Sequence, residues 1–375
     1  MLIAPSVQVS GTRYKLAIVV FRSNPPHRGH FHVIEEARKH SDFVLVLQGS
    51  SNVARNSRNP FTPSERSDLL ASAGYDASRN VITSPLPDFI YQDNAWENEV
   101  HRQVYEVWDS LYPNLSFDRT SVALCGHSKD QTSYYLKKFP GWASINVPDP
   151  VRHLHDNTMM SSTDIRSVLF DGENSWNYIE DRLSAFMPES TFECLYELLR
   201  SSECHFRKRK TFELCLEEFA FVKDYKAKYK YVGANHPVTF VTTDAVVTQS
   251  GYILLGTRKD NPGRGLLCLP GGFLKHNIGF YENSLLELRE ETRLRVSRDT
   301  LHKSLKGSHM FDDVNRSLRG RTVTMAYHFQ LPEADKLPKV VGSDDLSHAA
   351  WYPISAVDPT TMYEDHYFIR NYFTS

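Results

Sequence analysis

Nowhere in the 375 residues does an apolar run reach 18. The opening stretch, MLIAPSVQVSGTRYK, has no basic segment leading into a long apolar one. Neither a membrane-spanning helix nor a secretory leader is therefore predicted, and a cytoplasmic location is expected. An excess of one charge sign is also lacking. The formal net charge of −2 argues against a general binder of nucleic acid or membrane, while leaving room for a local basic pocket. Cysteine is sparse: the five, at 125, 194, 204, 215 and 268, are an odd number without CxxC spacing. They read as buried free thiols in a reducing compartment rather than a disulfide frame. No internal repeat connects the two halves. What is present, 41% hydrophobic and 12% aromatic residues, suffices for two or three domains with separate cores.

Short apolar strands alternate with amphipathic helical patterns through residue 185. LAIVVF (16–21), DFVLVLQ (42–48), NVITSPL (80–86), TSVALCG (120–126) and SINVP (144–148) are the predicted strands. Helices are expected at 30–40, 64–73, 95–109, 130–138 and 162–170. That alternation predicts a parallel sheet covered on both faces. Residues 186–235 change to helical and charged patterns and read as a closing element and connector. Their RKRK run (207–210) fits a solvated helix face or an interdomain contact better than a nucleic-acid contact. From about 236 the pattern is β-rich, with VTFVTTDAVVTQSGYILLGTRKD as strand, turn and strand, a helix near 282–292, and DHYFIRNYF as a last helix. The expected division is an extension (1–14), an α/β domain (15–185), the connector (186–235) and a second domain (236–375).

Two segments of the first domain carry chemistry. SNPPHRGH (23–30) is a proline-fixed turn at the carboxyl end of the first strand, where open parallel sheets bind ligands. If His30 begins a helix, nearby backbone donors point at the turn's occupant, and His27 or His30 could donate to a phosphoryl oxygen. Structural histidines are the competing reading. Metal ligation by this pair is not predicted, since no Cys, Asp or third His follows at suitable spacing. In SSTDIRSVLF (161–170), Ser161 or Ser162 can cap a helix with Asp164 in its first turn, which explains the motif without catalysis. Arg166 would then lie near the capped end, where an anion would also bind.

HxGH paired with a late SSTxxR resembles the nucleotidylyltransferase superfamily. GSSNVARNSRNPFTPSER (49–66), YQDNAW (91–96) and GHSKDQTSYYLKKFPGW (126–142) narrow the resemblance to nicotinamide mononucleotide adenylyltransferases of archaeal type joined to a Nudix domain. That resemblance implies a Rossmann-like parallel sheet, and transfer of the adenylyl group of ATP to nicotinamide mononucleotide (NMN), giving NAD and pyrophosphate. It further implies that Arg22, His27, His30 and Arg166 neutralise the triphosphate, that Gly29 and the Ser162–Thr163 helix start assist, and that Trp96 stacks on the nicotinamide ring. Asn59, Arg66, Lys129 and Asp130 fall in matching nucleotide-site segments. Where the family often reads GRFxPxHxGH, this chain has Phe21 for the glycine and Ser23 for the aromatic residue. Mg²⁺, or Mn²⁺, is expected to be held chiefly by phosphates and water.

In LPGGFLKHNIGFYENSLLELREETRL (269–294), Glu287, Glu290 and Glu291 fall at i, i+3 and i+4 and so share a helix face. Either a divalent metal gathers them, or Arg289 and nearby lysines compensate an exposed acidic face. With Gly272 before the helix they resemble a Nudix box, implying a mixed-sheet α/β/α domain and hydrolysis of ADP-ribose to AMP and ribose 5-phosphate. Ile278 takes the box's first glutamate position, Leu286 its arginine and Arg293 its later glycine. Arg258, Arg319 and Arg321 are candidate phosphate contacts, against surface solvation. Tyr363 and Phe368 are candidates for an adenine-binding wall, against simple core packing. Two alternatives remain open: a nucleotidylyltransferase of other specificity, and a second domain that binds a nucleotide or a protein without turnover. A homo-oligomer is compatible with the composition.

Overall fold

In the first strand the apolar residues run continuously instead of alternating, and Leu16, Ala17, Ile18 and Val19 are all buried. A strand covered on both faces needs such a run. In a computed structural model, which describes residues 13–126, 138–147, 151–152, 159–171, 176–200, 205–229 and 238–375, this strand is the centre of a parallel sheet. Strands β1 (Tyr14–Phe21), β2 (Ser41–Gln48), β3 (Val81–Pro85), β4 (Val122–Gly126) and β5 (Ala143–Asn146) lie in the order β3-β2-β1-β4-β5. Every pairing is parallel. Helices α1 (Arg28–His40), α2 (Pro63–Ser72) and α3 (Asp93–Leu111) connect the early strands. α4 (Ser162–Leu169), α5 (Trp176–Ser184) and α6 (Glu189–Arg200) follow β5. The order reverses between β1 and β4, and this switch point opens a crevice beyond the strands' carboxyl ends, where the 23–30 turn begins.

The core of this part gathers Leu16, Ile18, Leu45, Leu47, Val122 and Leu124 from the sheet with Val100, Val104 and Trp108 from α3. Trp108 is fully buried, and its indole N–H donates to Leu115 O at 3.0 Å, so the one polar atom of the ring is satisfied.

The chain divides into two units, 1–213 and 214–375, the division falling within α7 (His205–Lys228). In the second unit β6 (Phe240–Gln249) and β7 (Tyr252–Arg258) are joined at Ser250–Gly251, both with positive φ, as the QSG turn predicts. The short β8 (Leu267–Cys268) and β9 (Gly271–Phe273) precede α8 (Phe280–Thr292) and α9 (Arg298–Ser304). β10 (Leu305–Phe311), β11 (Thr322–Gln330), β12 (Leu346–Pro353) and α10 (His366–Thr374) complete the unit. The sheet order is β10-β11-β6-β7-β12, with β8 on β7 and β9 on β6. β6 and β11 run parallel and the other pairs antiparallel, so the sheet is mixed. α8 packs Leu285 and Leu288 against Ala245, Val247 and Phe329.

The α/β class with a parallel sheet followed by a mixed one is as expected. The sequence pattern did not reveal β10 and α9, and most of the expected 130–138 helix lies outside the described residues. Cys125, Cys194, Cys215 and Cys268 are free thiols. Among the described residues no helix is long and apolar enough to cross a membrane.

Replacing Trp108 by alanine removes a fully buried ring and should cost the N-terminal unit about 3–5 kcal/mol. Hydrogen exchange of the β1 and β4 amides at rising urea reads that loss in the full chain. A cost below about 1 kcal/mol would show that α3 does not anchor this core.

Candidate active sites

The proline-rich turn is built from its asparagine. Asn24 is buried, and its side chain meets the backbone of Phe61 in both directions: Nδ2 donates to Phe61 O and Phe61 N donates to Oδ1, each at 3.0 Å. Ser23 before it adopts a positive φ, and the Asn24–Pro25 peptide is cis. The carbonyls of the turn then receive α4. Arg166 Nη1 donates to Asn24 O, and Ser162 Oγ to Pro25 O, both at 2.8 Å. Segments near residues 25, 60 and 165 thereby meet at one turn.

The helix after the turn begins at Arg28, two residues earlier than the histidine pattern suggests, because His27 is its N-cap. His27 Nδ1 accepts from Gly29 N at 3.1 Å, and His30 Nδ1 accepts from His27 N at 3.2 Å. With both Nδ1 atoms accepting, each neutral ring carries its proton on Nε2, the nitrogen able to donate to a phosphoryl oxygen. The rings lie 3.9 Å apart between centroids. A side chain on Gly29 would strike the His27 ring at 2.9 Å, so the glycine is a steric requirement of this cap. In α4 Ser161, not Ser162, makes the capping box with Asp164, which frees Ser162 for the turn.

Four arginines gather here. Burial, then the charges of Arg22 and Arg58, pulls Arg166 down to about 10. Arg66 is fully buried and donates through Nη1 to the carbonyls of Arg22 and Gly49, bracing the ends of β1 and β2. Burial brings it down to about 10 as well. Its Nε and Nη2 have no partner among the described residues, nor has Asn59 Oδ1. Mutually repelling cations at a crevice with two helix N-termini are arranged for an anion. Trp96 packs one side toward Phe139, with centroids 6.0 Å apart. Lys129 and Asp130 lie outside the described residues.

In the C-terminal unit, glycine allows strand and helix to close on each other. A Cβ on Gly271 would lie 2.2 Å from Thr243 O, and one on Gly272 would lie 2.7 Å from the Glu287 carboxylate. Gly271 N donates to Glu291 Oε2 at 2.8 Å. Glu287 and Glu291 are buried, while Glu290 is exposed. Burial raises the proton affinity of Glu287 and pushes Glu291 up to about 8. The cation beside them is Lys275, whose Nζ lies 3.0 Å from Glu290 Oε2 and 3.6 Å from Glu287 Oε1. As placed, no three His, Cys, Asp or Glu side chains among the described residues form a group that could hold a metal ion. In this arrangement a backbone N–H meets Glu291 and an ammonium meets Glu287 and Glu290.

The Arg258 guanidinium stacks 4.1 Å above the Tyr363 ring, and Arg258 Nε donates to Pro262 O at 2.7 Å. Arg319 lies 5.0 Å over Phe273. The buried Arg319 Nε has no partner among the described residues. Arg321 turns away to Asp312, whose carbonyl accepts from its Nη1. Tyr363 and Phe368 are both buried.

Residues 22–168 match the cytidylyltransferase-like family and residues 238–372 the NUDIX domain. The nicotinamide/nicotinic acid mononucleotide adenylyltransferase of Acinetobacter baylyi is 32% identical over 185 residues, covering 48% of this chain and 86% of the relative. The nicotinamide-nucleotide adenylyltransferase of Pyrobaculum neutrophilum is 38% identical over 172 residues, 45% of this chain and 84% of its own. The chain belongs to the nicotinamide-nucleotide adenylyltransferase family. Its similarity continues beyond that unit. A bifunctional NMN adenylyltransferase/ADP ribose pyrophosphatase from Francisella tularensis superimposes with a TM-score of 0.79 at 28% identity, over 96% of this chain and 98% of that one. The same Francisella protein complexed with AMP and a Mn ion gives 0.78 at 27% identity.

In this adenylyltransferase, residue patterns missed Arg58, which stands beside the matched Asn59 and bears on Arg166. They also missed the polar interior of the NUDIX unit. Arg316 and Asp365 form a buried two-point ion pair at 2.9 and 3.0 Å, and His366 Nδ1 accepts from Leu269 N at 3.0 Å. Burial holds the His366 ring far below the usual histidine range, so it is neutral at physiological pH. Asp244, buried on β6, accepts from Thr324 Oγ1 at 2.6 Å, and burial pushes it from 3.8 up to about 6.

That shift has a sign that can be tested. Between pH 4 and 6 the unfolded chain releases the Asp244 proton while the folded unit retains it, so this group's stabilisation fades as pH rises and levels off above 6. Asp244→Asn keeps the acceptor for Thr324 and removes the titration. The wild-type minus variant difference in unfolding free energy should change by on the order of 3 kcal/mol across that window, read from urea midpoints of the C-terminal unit. A difference independent of pH would contradict the burial argument.

Proposed function

We propose that the N-terminal unit transfers the adenylyl group of ATP to NMN, giving NAD and pyrophosphate, with 15–185 as its domain and 186–235 as a connector to a Nudix domain at 236–375. The observation that carries this reading is the seating of Arg166 and Ser162 on the carbonyls of the histidine turn. The NMN phosphate is already a nucleophile, so no serine or cysteine need attack. The NMN phosphate oxygen bonds to the α-phosphorus of ATP as the bond to the β-phosphate oxygen breaks and pyrophosphate leaves. Arg22, Arg58 and Arg166 offset the charge that accumulates on the departing group, with His27 and His30 donating from Nε2. Gly29 and the Ser162–Thr163 start of α4 bring the phosphates to backbone donors. Asn59 faces the same nucleotide, Arg66 braces the strand ends beneath it, and Trp96 stacks on the nicotinamide ring. Mg²⁺ would arrive on the ATP phosphates and water, lowering the charge that the arginines must meet. Relatives named for NMN, and one named for both mononucleotides, support the substrate class.

A second reading concerns the C-terminal unit: hydrolysis of ADP-ribose to AMP and ribose 5-phosphate. The likeness to the Francisella protein and the pair Arg258 and Arg319, suited to a diphosphate, support it. Water would bond to one phosphorus, the bridging P–O bond would break, and a carboxylate of α8 would take the water's proton. Tight binding of ADP-ribose without cleavage is the competing outcome.

Purified chain supplied with ATP, Mg²⁺ and NMN should yield NAD and pyrophosphate in equal amounts, with nicotinic acid mononucleotide run in parallel. Arg166→Ala should lower NAD synthesis about 100-fold, equivalent to ~3 kcal/mol, and leave ADP-ribose turnover intact. Failure to form NAD from a folded sample would end the first reading. For the second, Glu290→Gln and Glu291→Gln should depress AMP release from ADP-ribose and spare NAD synthesis. Equal turnover in wild type and both variants would remove α8 from the chemistry.

A further inference from the structure

The Nudix-like box raises a question of charge balance. Its arginine position is Leu286 and its first acidic position is Ile278, so three glutamates remain without the cation that the pattern would supply. The cation comes instead from the loop before the helix. Lys275 Nζ bridges Glu290 Oε2 at 3.0 Å and Glu287 Oε1 at 3.6 Å. The base of this lysine is fixed from below. Its backbone N–H donates to Asn283 Oδ1 at 3.0 Å, and Asn283 is fully buried one helical turn before Glu287. Asn283 Nδ2 in turn donates to Thr243 Oγ1 at 2.8 Å and to Phe273 O at 3.3 Å. The loop that carries the ammonium is thus pinned to the helix that carries the carboxylates, while the Lys275 side chain is 43% exposed and has room to swing outward.

We propose that Lys275 is an internal counter-cation that occupies the charge position of a divalent metal on α8, so that a metal can bind there only when the lysine leaves. An ammonium and a doubly charged ion cannot share two carboxylates a few ångströms apart without strong mutual repulsion. Lys275 therefore sets the metal affinity of the C-terminal unit and makes it weaker than three glutamates alone would give. This inference rests on reading the unit as a diphosphate hydrolase, which the turnover of ADP-ribose tests separately.

The test uses the full chain and Mn²⁺ as the only ligand, with free Mn²⁺ read by electron paramagnetic resonance. Lys275→Met should tighten binding at one site at least tenfold, and Lys275→Gln should do the same. Lys275→Arg, which keeps the charge, should leave the affinity near wild type. Adding Glu290→Gln to Lys275→Met should abolish the gain. Unchanged or weaker Mn²⁺ binding in both neutral variants would overturn the proposal, as would a gain that survives the loss of Glu290. ADP-ribose left uncleaved by a chain that shows the tightening would sink the hydrolytic reading and leave the lysine's role in place.

Discussion

The turn at Asn24 and Pro25 is where the N-terminal site is assembled, because two distant stretches, near residues 60 and 165, dock on it. The Asn24 amide first binds the backbone of Phe61 in both directions, which sets the turn against the loop carrying Arg58 and Asn59. The backbone carbonyls of the same turn then accept from Ser162 and Arg166. A guanidinium held by neutral carbonyl and hydroxyl oxygens keeps its full positive charge for a ligand, whereas one paired with a carboxylate would have spent it. Arg166 donates to Asn24 O and Thr163 Oγ1, both neutral, and these oxygens leave its repulsion from Arg22 and Arg58 standing. The site is thereby strained electrostatically in the direction that an incoming triphosphate relieves.

Sheet topology makes that arrangement accessible. Placing β1 between β2 and β4 puts the turn at the reversal of strand order, so the loops after β1 and β4 diverge from each other and leave a crevice. Arg66 reinforces this from beneath by donating to the last carbonyls beyond both strands. The burial of such a cation is costly, and a group serving only to bind substrate would not need to be fully enclosed. Arg66 is better understood as a brace whose charge also adds to the local field.

The strands of the first unit were legible because continuous apolar runs such as LAIVVF have few other destinations than a sheet covered on both faces. β10 was not. LKGSHMF has no apolar alternation, contains Gly307, and pairs with β11 through an irregularity between Leu305 and Gly307. The phosphate-site residues were visible as types, since histidine, arginine and a capped helix start carry chemistry at recognisable spacing. What each holds was hidden: Ser161 rather than Ser162 caps α4, and His27 rather than His30 marks the start of α1. Arg58 and Lys275 sit between motif positions and gain meaning only from tertiary neighbours. The Arg316–Asp365 pair, 49 residues apart, has no local signature at all.

The two units face opposite versions of one electrostatic problem. In the first, arginines converge and the compensating charge is brought by the substrate. In the second, glutamates converge on α8, and a lysine from the adjoining loop already compensates two of them. Burial makes the difference consequential. Glu291 answers its enclosure by binding a proton more tightly and by accepting from Gly271 N. Arginine has no comparable escape, because even a guanidinium brought down to about 10 stays charged at neutral pH. An anion site built from arginines is consequently always poised, whereas buried carboxylates answer enclosure by holding protons more tightly. The lysine displacement proposed for the second unit has no counterpart in the first, whose arginines meet their anion directly.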